Sequence, residues 1–216
     1  GAFGLFEKKT VIAVGGYDSS TMGEDMELVV RLHEFSRMNR KPYRIRFAQD
    51  AICWSQTPEK LSELCKQRKR WQRGLFQCMW GHHKMLANPR YGAVGLLSYL
   101  YFLLYELLSP FIELLGVLTM VLSVMMDMLN VKFMLVFLAF YALYGILLTL
   151  TAYFSRIYTI DQKLSFRELI LAIIACFFET TFLRFYLEFV RVTAFVGYKK
   201  NKLNWGKLER KKMNRI

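Results

Sequence analysis

Three long apolar stretches in the second half of this 216-residue chain constrain its fold more than any other feature. They cover residues 96–126, 131–154 and 169–196, and short polar segments separate them. A helix needs about 20 consecutive apolar residues to cross a hydrocarbon core about 30 Å thick. These lengths predict that the second half is an α-helical transmembrane region.

The first and third stretches depart from simple spans. The first is longer than one straight span needs, and Pro110 interrupts it, so we expect a kink, a tilt or a surface-lying first part. The third carries Glu179, Arg184, Glu188 and Arg191, of which the last three share one helical face. We interpret its second half as interfacial or packed against the protein, and the alternative is a third full span.

The distribution of basic residues predicts an orientation in the membrane. The net charge is +13, and the basic residues of the second half flank the apolar stretches, as in proteins that face anionic lipids. Residues 156–167 and the tail from Lys199 are basic and should be cytosolic, while the nearly charge-free connection 127–132 should face outside. We therefore expect a multi-pass plasma-membrane protein whose soluble part is cytosolic. No nucleic-acid-binding motif accompanies the charge, so nucleic acid is excluded as a partner.

Cysteine and histidine spacing predicts neither a disulfide framework nor a zinc site. The four cysteines show no short paired spacing, so reduced cytosolic thiols are expected. Neither a C-x-x-C nor an H-x-x-x-H pattern is present. The residues considered for zinc are Cys65, Cys78, His82 and His83.

Residues 1–90 have the pattern of a soluble α/β piece. Apolar runs at residues 2–6 and 11–14 predict a strand and then a strand or turn, and Gly15-Gly16 predicts a turn. Residues 43–48 alternate between apolar and basic side chains, which predicts a further strand.

Two helices are predicted in the same part. The first runs from about Gly23 to Met38, after hydroxyl residues at positions 19–21 that are suited to N-capping. Its buried stripe consists of Leu28, Val29, Leu32 and Phe35. The second is expected to begin at Thr57-Pro58, with the threonine as N-cap and the proline at the first helical position.

Two polar motifs on these helices carry the chemistry. Glu24 and Asp25 lie at the start of the first helix, where the macrodipole favours an ionised carboxylate. Gln67, Arg70 and Trp71 lie within about one turn of each other on the second. Taken singly, the first motif is explained by capping electrostatics and the second by a basic amphipathic helix at a lipid surface.

The order of the motifs resembles the second half of the membrane-bound family 2 glycosyltransferases, which include cellulose, chitin, hyaluronan and poly-N-acetylglucosamine synthases. The order is Gly-Gly-Tyr, Gly-Glu-Asp-Met-Glu-Leu, Thr-Pro and the Q-x-x-R-W motif at 67–71, followed by membrane spans. The resemblance implies the second half of a GT-A α/β domain before an α-helical transmembrane region. The implied parts are a GT-A portion (1–73), an amphipathic interfacial helix (74–92), a transmembrane region (93–198) and a basic cytosolic tail (199–216).

The resemblance also implies roles for the five motif residues. Asp25 would be the general base that removes the acceptor's hydroxyl proton in an inverting attack on a nucleotide sugar, expected to be UDP-linked, and Glu24 would orient it. Trp71 would be the stacking platform for the acceptor sugar. Arg70, with Gln67, would contact the diphosphate or the acceptor.

The resemblance leaves substrates and partners partly open. It implies a divalent metal, Mg or Mn, whose ligands and donor-binding half are expected upstream of these residues. The implied acceptor is a growing polysaccharide that passes the membrane through a polar passage. Alternatives are a single sugar transfer to a lipid acceptor, or an inactive remnant or scaffold. Candidates to line the passage, or to pair between helices instead, are Glu106, Glu113, Glu179 and Arg184.

Overall fold

The computed structural model describes residues 4–40, 45–46, 48, 51, 53, 55–160 and 165–199, without the side chains of 156 and 158–160. The chain divides into two compact units, one of Gly1–Pro110 with Val190–Ile216 and one of Phe111–Phe189. The part of the chain described here is mostly helical and contains no strand, so the α/β class is not confirmed.

The predicted strand at residues 11–14 is wrong, because Val11–Ala13 belong to a short helix, α1 (Lys8–Ala13). The apolar run at 11–14 suggested a strand or a turn there, but Thr10 is buried and its hydroxyl donates to the Glu7 carboxylate before the helix. The helix ends in the predicted glycine turn, where positive φ angles of 89° and 75° suit Gly15 and Gly16.

The other two predicted strands lie partly outside the described residues. The residues outside the described part are 2 and 3 in the first strand and 43, 44 and 47 in the second. The remaining residues of both segments have irregular backbone where they are described.

Helix α2 (Glu24–Met38) confirms the first predicted helix. Leu28 and Leu32 are buried, and Val29 and Phe35 are half-buried, as the apolar stripe predicted. The predicted hydroxyl cap is wrong, because the N-cap residue is Gly23 and no side chain caps the helix. Thr21 instead accepts a hydrogen bond from the Gly23 N–H at 3.2 Å.

Glycine stands at the N-cap because α2 begins against the backbone of another helix. A Cβ atom on Gly74 would lie 2.8 Å from the Gly23 nitrogen, and one on Gly23 would lie 3.3 Å from the Gly74 Cα. Two side-chain-free residues therefore let the two backbones touch. This contact places the start of α2 beside the middle of the next long helix.

That helix, α3 (Leu61–Gly81), begins three residues after the predicted Thr57-Pro58 start, which is therefore wrong. Its first hydrogen bonds run from the N–H groups of Glu63 and Leu64 to the Lys60 carbonyl. The helix continues unbroken through Gly74, so the predicted helix at 74–92 does not exist as a separate element. Beyond Gly81 the chain forms two 3-10 turns, His83–Met85 and Pro89–Tyr91.

A buried ionic network ties α2 to the end of α3. His82 is buried, and its ring nitrogens lie 3.1 Å from a Glu27 oxygen and 2.5 Å from a Glu34 oxygen. Glu27 also accepts from Arg31 at 2.6 Å. Burial lowers the pKa of His82, but the bonds to the two carboxylates outweigh it and raise the pKa above its usual value.

The core of the first unit lies between α3 and the segment that follows it. Tyr99 donates its hydroxyl to the Met79 carbonyl across this core. Cys78 is buried nearby, and burial raises the pKa of its thiol to about 12. The core cluster consists of Leu75, Met79, Met85, Tyr91, Tyr99 and Leu107.

The first apolar stretch is broken where Pro110 predicted an interruption. Its first part is an irregular helix in which α4 (Tyr99–Tyr101) joins π-helical turns at Val94–Ser98 and Phe102–Leu107. After Leu108 it continues as α5 (Ser109–Met125), with a bend of 47° between the two parts. Pro110 lacks an N–H group, so the helical bonding pattern cannot run through this point unchanged.

The second unit contains most of α5, then α6 (Val131–Ile160), α7 (Phe166–Phe178), a π-helical turn at Glu179–Leu183 and most of α8 (Arg184–Val192). Within it, α6 packs closely on the π-helical turn, because a Cβ on Gly145 would clash with Thr180 Cγ2. Arg184 forms an ion pair with Glu113 at 2.7 Å. For these two residues the structure thus shows pairing between helices, the second of the two roles that the sequence suggested.

Two helices in the described residues are long and apolar enough to cross a membrane, Val131–Ser155 and Phe166–Phe195. The bent pair Val94–Leu107 and Ser109–Met125 would make a third if it acted as one span. The second and third apolar stretches predicted from the sequence thus coincide with helices of the required length.

Candidate active site

A pocket of about 500 Å³ in the first unit collects most of the predicted site residues. It lies among the start of α2, the middle of α3, the Phe102–Leu107 turn and Arg191. Charges of both signs line it, and its ionisable residues are Glu24, Asp25, Arg68, Arg70, Glu106 and Arg191.

Helix α2 brings Glu24 and Asp25 into the pocket because both lie in its first turn, which the Gly23–Gly74 contact holds against α3. The Asp25 Oδ1 accepts a hydrogen bond from the Met26 N–H at 2.9 Å. Partial burial raises the pKa of this carboxyl, and the bond from Met26 opposes that effect by favouring the carboxylate. The helix N-terminus favours the same charged form.

Helix α3 brings Arg70 and Trp71 to the same pocket. The Trp71 indole is 51% exposed, so a broad aromatic surface faces solvent at the pocket. The Arg68 guanidinium carbon lies 5.0 Å from the centre of the Trp71 ring, which is a cation–π arrangement. Arg68 was not predicted as a site residue, although it occupies the second position of the motif.

Gln67, the first residue of the predicted motif, lies on α3 but is not one of the residues that line this pocket. Gln72 lines it instead and is only 2% exposed. The sequence did contain a signal for this residue. Gln72 stands three positions before Leu75 and seven before Met79, so it is a polar residue on an otherwise apolar face.

Arg191 and Glu106 complete the pocket wall and were not predicted as site residues. The Arg191 guanidinium donates from Nε to the Gln72 Oε1 at 2.9 Å, and from a terminal nitrogen to the Glu106 carbonyl. Its terminal nitrogen lies 3.9 Å from the Glu106 carboxylate. The sequence analysis placed Glu106 among the candidates for a polar passage and placed Arg191 on the polar face of the third apolar stretch.

The four candidates for a polar passage do not share one site. Glu106 lines the pocket of the first unit, whereas Glu113 and Arg184 form an ion pair in the second. A second pocket of about 510 Å³ lies in the second unit and includes Glu113 among mostly apolar residues. Glu179 begins the π-helical turn of that unit.

The described residues do not fit a metal site of their own. Among them, no group of three or more His, Cys, Asp or Glu side chains is placed to hold a metal ion. Cys53, Cys65, Cys78 and Cys176 form no disulfide among the described residues. His82 is engaged with two glutamates, so its ring serves the packing of α2 on α3.

The pocket therefore combines a carboxylate at a helix N-terminus, an exposed indole and several guanidinium groups. An apolar sugar face stacks well on an indole, and guanidinium groups suit phosphate oxygens and hydroxyls. A carboxylate in its ionised form can accept a proton from a hydroxyl that lies within hydrogen-bond reach. This donor and acceptor set suits the transfer of a sugar between oxygen atoms.

Comparison with known proteins points in the same direction. The family model described as glycosyl transferase family group 2 matches residues 1–187. Poly-β-1,6-N-acetyl-D-glucosamine synthase of Staphylococcus aureus (strain COL) is 36% identical over 88 residues. The same-named protein of Staphylococcus epidermidis (strain ATCC 35984) is 34% identical over 88 residues. Each match covers 41% of this chain and 18% of the relative's length. No solved structure gives a significant match.

Proposed function

The chain belongs to glycosyl transferase family group 2, and we propose that it forms the acceptor side of an inverting sugar-transfer site that extends a polysaccharide. The donor in this proposal is a nucleotide sugar, UDP-linked. The observation that carries it is one cavity shared by Asp25, Arg70 and Trp71, from helices that are about forty residues apart in the sequence.

In the proposed reaction Asp25 is the general base. It takes the proton of the acceptor hydroxyl while that oxygen attacks the anomeric carbon, and the nucleoside diphosphate leaves with the bonding electrons. The Met26 N–H and the helix N-terminus keep the carboxylate ionised and therefore able to accept this proton. Glu24, its neighbour on the pocket wall, orients the carboxylate or the acceptor.

The α3 residues hold the two substrates in this proposal. The Trp71 indole stacks on the terminal acceptor sugar, and the paired donors of Arg70 bind the diphosphate or acceptor oxygens. Gln67 lies one turn before Trp71 and supports this turn of the helix from outside the pocket lining. The family commonly uses a divalent metal, but the described residues offer no site for one, and no step here depends on it.

The relatives support the choice of a polymer as product. Their printed name is that of a poly-β-1,6-N-acetyl-D-glucosamine synthase, so we propose an N-acetylhexosamine polymer as the product of this chain's parent enzyme. Two helices suited to membrane spans follow the α2 and α3 motifs in the sequence. A polysaccharide cannot cross hydrocarbon unaided because each hydroxyl would lose its hydrogen bonds, so we propose that elongation is coupled to membrane passage.

The test is the Asp25→Asn variant of the full-length protein, assayed in membrane vesicles for sugar incorporated from UDP-N-acetylglucosamine. Loss of the base should lower the rate at least about 10²-fold, because general-base catalysis contributes on that order. Asp18→Asn is the matched control, since Asp18 is half-buried, does not line the pocket, and an asparagine can still accept from the Ser20 N–H.

Two results would count against the proposal. Unchanged polymer synthesis by Asp25→Asn would exclude Asp25 as the base and favour a scaffold role. Products that carry one added sugar on a lipid, rather than long chains, would show a non-processive lipid glycosyltransferase instead.

A further inference from the structure

The side-chain amide of Gln72 is buried next to the exposed indole of Trp71. Gln72 follows Trp71 directly on α3, yet its side chain is only 2% exposed while the indole is 51% exposed. Its Nε2 donates to the Leu107 carbonyl at 3.0 Å, and its Oε1 accepts from Arg191 at 2.9 Å. Both ends of the amide are therefore fixed by groups from other segments of the chain.

The Glu106 and Leu107 carbonyls can accept hydrogen bonds from Arg191 and Gln72 because the helix that contains them is broken. In a continuous α-helix the Glu106 carbonyl would accept from the N–H of residue 110, which is a proline and has none. The Phe102–Leu107 turn is π-helical, and Leu108 bonds back to the Leu103 carbonyl at 2.9 Å. The end of this turn thus offers backbone oxygens to side chains from elsewhere.

Arg191 joins the two sides of this break. One nitrogen of its guanidinium donates to Gln72 and another donates to the Glu106 carbonyl, while the side chain lines the pocket. The adjoining Arg73 makes a similar link, because its Nε donates to the Ala194 carbonyl at 2.7 Å. Two successive residues of α3 are therefore held by the segment that begins at Val190, about 120 residues later in the sequence.

We propose that Arg191 is a positioning residue of the sugar-transfer site. Acting through Gln72, it fixes the rotation of the α3 turn that carries Arg70 and Trp71, so that both face the Asp25 carboxylate across the pocket. The proposal rests on the proposed function, because it assigns Trp71 to acceptor binding. It adds a residue from near the end of the third apolar stretch to the site in the first unit.

The geometry requires arginine rather than any cation. The two acceptors are a side-chain amide oxygen and a backbone carbonyl, and the planar guanidinium serves both from different nitrogens. A lysine ammonium is a compact point charge on a flexible stem and does not reproduce this fork. The Glu106 carboxylate, at 3.9 Å from the guanidinium, contributes less than the two hydrogen bonds.

A double-mutant cycle in the full-length protein tests the proposal. Arg191→Lys and Gln72→Leu are made singly and together, and transfer from UDP-N-acetylglucosamine to a chito-oligosaccharide acceptor is measured in vesicles. Each single variant should lower kcat/KM for the acceptor about tenfold or more, since small misplacements in a site are costly. The kcat/KM of the double variant should fall no further than that of the worse single variant, because both substitutions remove the same Arg191–Gln72 hydrogen bond. The KM for the acceptor should rise more than the KM for the nucleotide sugar, because the turn that Arg191 positions carries Trp71, which is assigned to the acceptor alone.

Controls separate positioning from folding and from failure of the proposed function. Thr193→Ala removes a local hydrogen bond to the Val190 carbonyl on the same segment without touching α3, and it should stay within twofold of the parent. If the parent itself transfers no sugar, the proposed function fails. If the unmodified protein is active, an Arg191→Lys variant whose kcat/KM for the acceptor stays within twofold of it would overturn the role of Arg191. Multiplicative losses of kcat/KM in the double variant would overturn it as well. Equal rises in both KM values with a lowered melting temperature would show a merely structural role.

Discussion

Trp71 shows how one side chain of this site combines exposure with restraint. Its ring is half-exposed at the pocket, with the Arg68 guanidinium 5.0 Å from the ring centre and the buried Gln72 next in the chain. A flexible aromatic residue on a surface helix would lose side-chain entropy on binding a sugar. Restraint by neighbouring side chains lowers that cost, so the indole is suited to act as a prepared stacking surface.

Replacing Trp71 should therefore impair elongation without removing the protein from membranes. Trp71→Ala should lower polymer synthesis by about tenfold or more, because base–aromatic and sugar–aromatic stacking are worth on the order of 1–3 kcal/mol. The measurement is polymer yield and chain length from vesicles with equal protein content. Trp80→Ala is the matched control, since Trp80 is an exposed tryptophan on the same helix outside the pocket lining. Normal polymerisation by Trp71→Ala would exclude the stacking role.

At the scale of elements, the crossing of α2 and α3 decides whether the two motifs meet. The Gly23–Gly74 contact brings the backbones together, and the His82 bonds to Glu27 and Glu34 hold the other end of α3 on α2. Neither glycine belongs to a catalytic motif. Their role is to let a carboxylate on one helix and an indole on the other face a single cavity.

The variant Gly74→Ala should separate the two helices. Its Cβ would lie 2.8 Å from the Gly23 nitrogen, and a backbone atom cannot rotate away as a side chain can. We therefore expect the free energy of unfolding to fall by about 1–3 kcal/mol, despite the better helix propensity of alanine. Thermal unfolding of the detergent-solubilised protein measures this change. Gly81→Ala on the same helix meets nothing within 4 Å and should be neutral or slightly stabilising. Equal melting temperatures for the two variants would refute the tight crossing.

At the scale of the whole molecule, the apolar helices and the flanking charges together predict an orientation. The described residues contain two helices long enough to span a membrane, with a bent pair as a possible third span. The positive-inside rule predicts opposite sides for the basic residues after Tyr198 and the nearly charge-free connection at 127–132. This orientation requires that the third apolar stretch does not cross the membrane completely. The proposed site needs a cytosolic nucleotide sugar, so the same orientation also serves the proposed reaction.

Single cysteines introduced at Lys199 and Met128 test this orientation. In a background without the four native cysteines, Lys199→Cys should react with a membrane-impermeant maleimide only in inside-out vesicles, and Met128→Cys only in right-side-out vesicles. Both positions are exposed in the structure, so accessibility within the protein does not limit the reaction. Labelling of Lys199→Cys from the outside would refute the cytosolic tail and favour the full-span interpretation of the third apolar stretch.

The sequence was a good guide wherever a local pattern decides structure. The spacing of Leu28 and Leu32 predicted α2, and the position of Pro110 predicted the break in the first apolar stretch. It was a poor guide where a short segment has two local solutions. The β-branched pair at positions 11 and 12 fits a strand or a helix, and contacts of the buried Thr10 accompany the helix.

The sequence by itself predicted α2, the apolar stretches and the candidate site residues Asp25, Arg70 and Trp71, because periodicity, hydrophobic length and residue chemistry are local properties. Only the tertiary structure decided that Gln72 and Arg191 join them, and that Gln67 stands outside the pocket lining. The reason is physical. The hydrogen bond between Arg191 and Gln72 joins residues 119 positions apart. No local sequence pattern encodes which distant side chain donates to an amide oxygen, or to a backbone carbonyl that a helix break leaves without its usual donor.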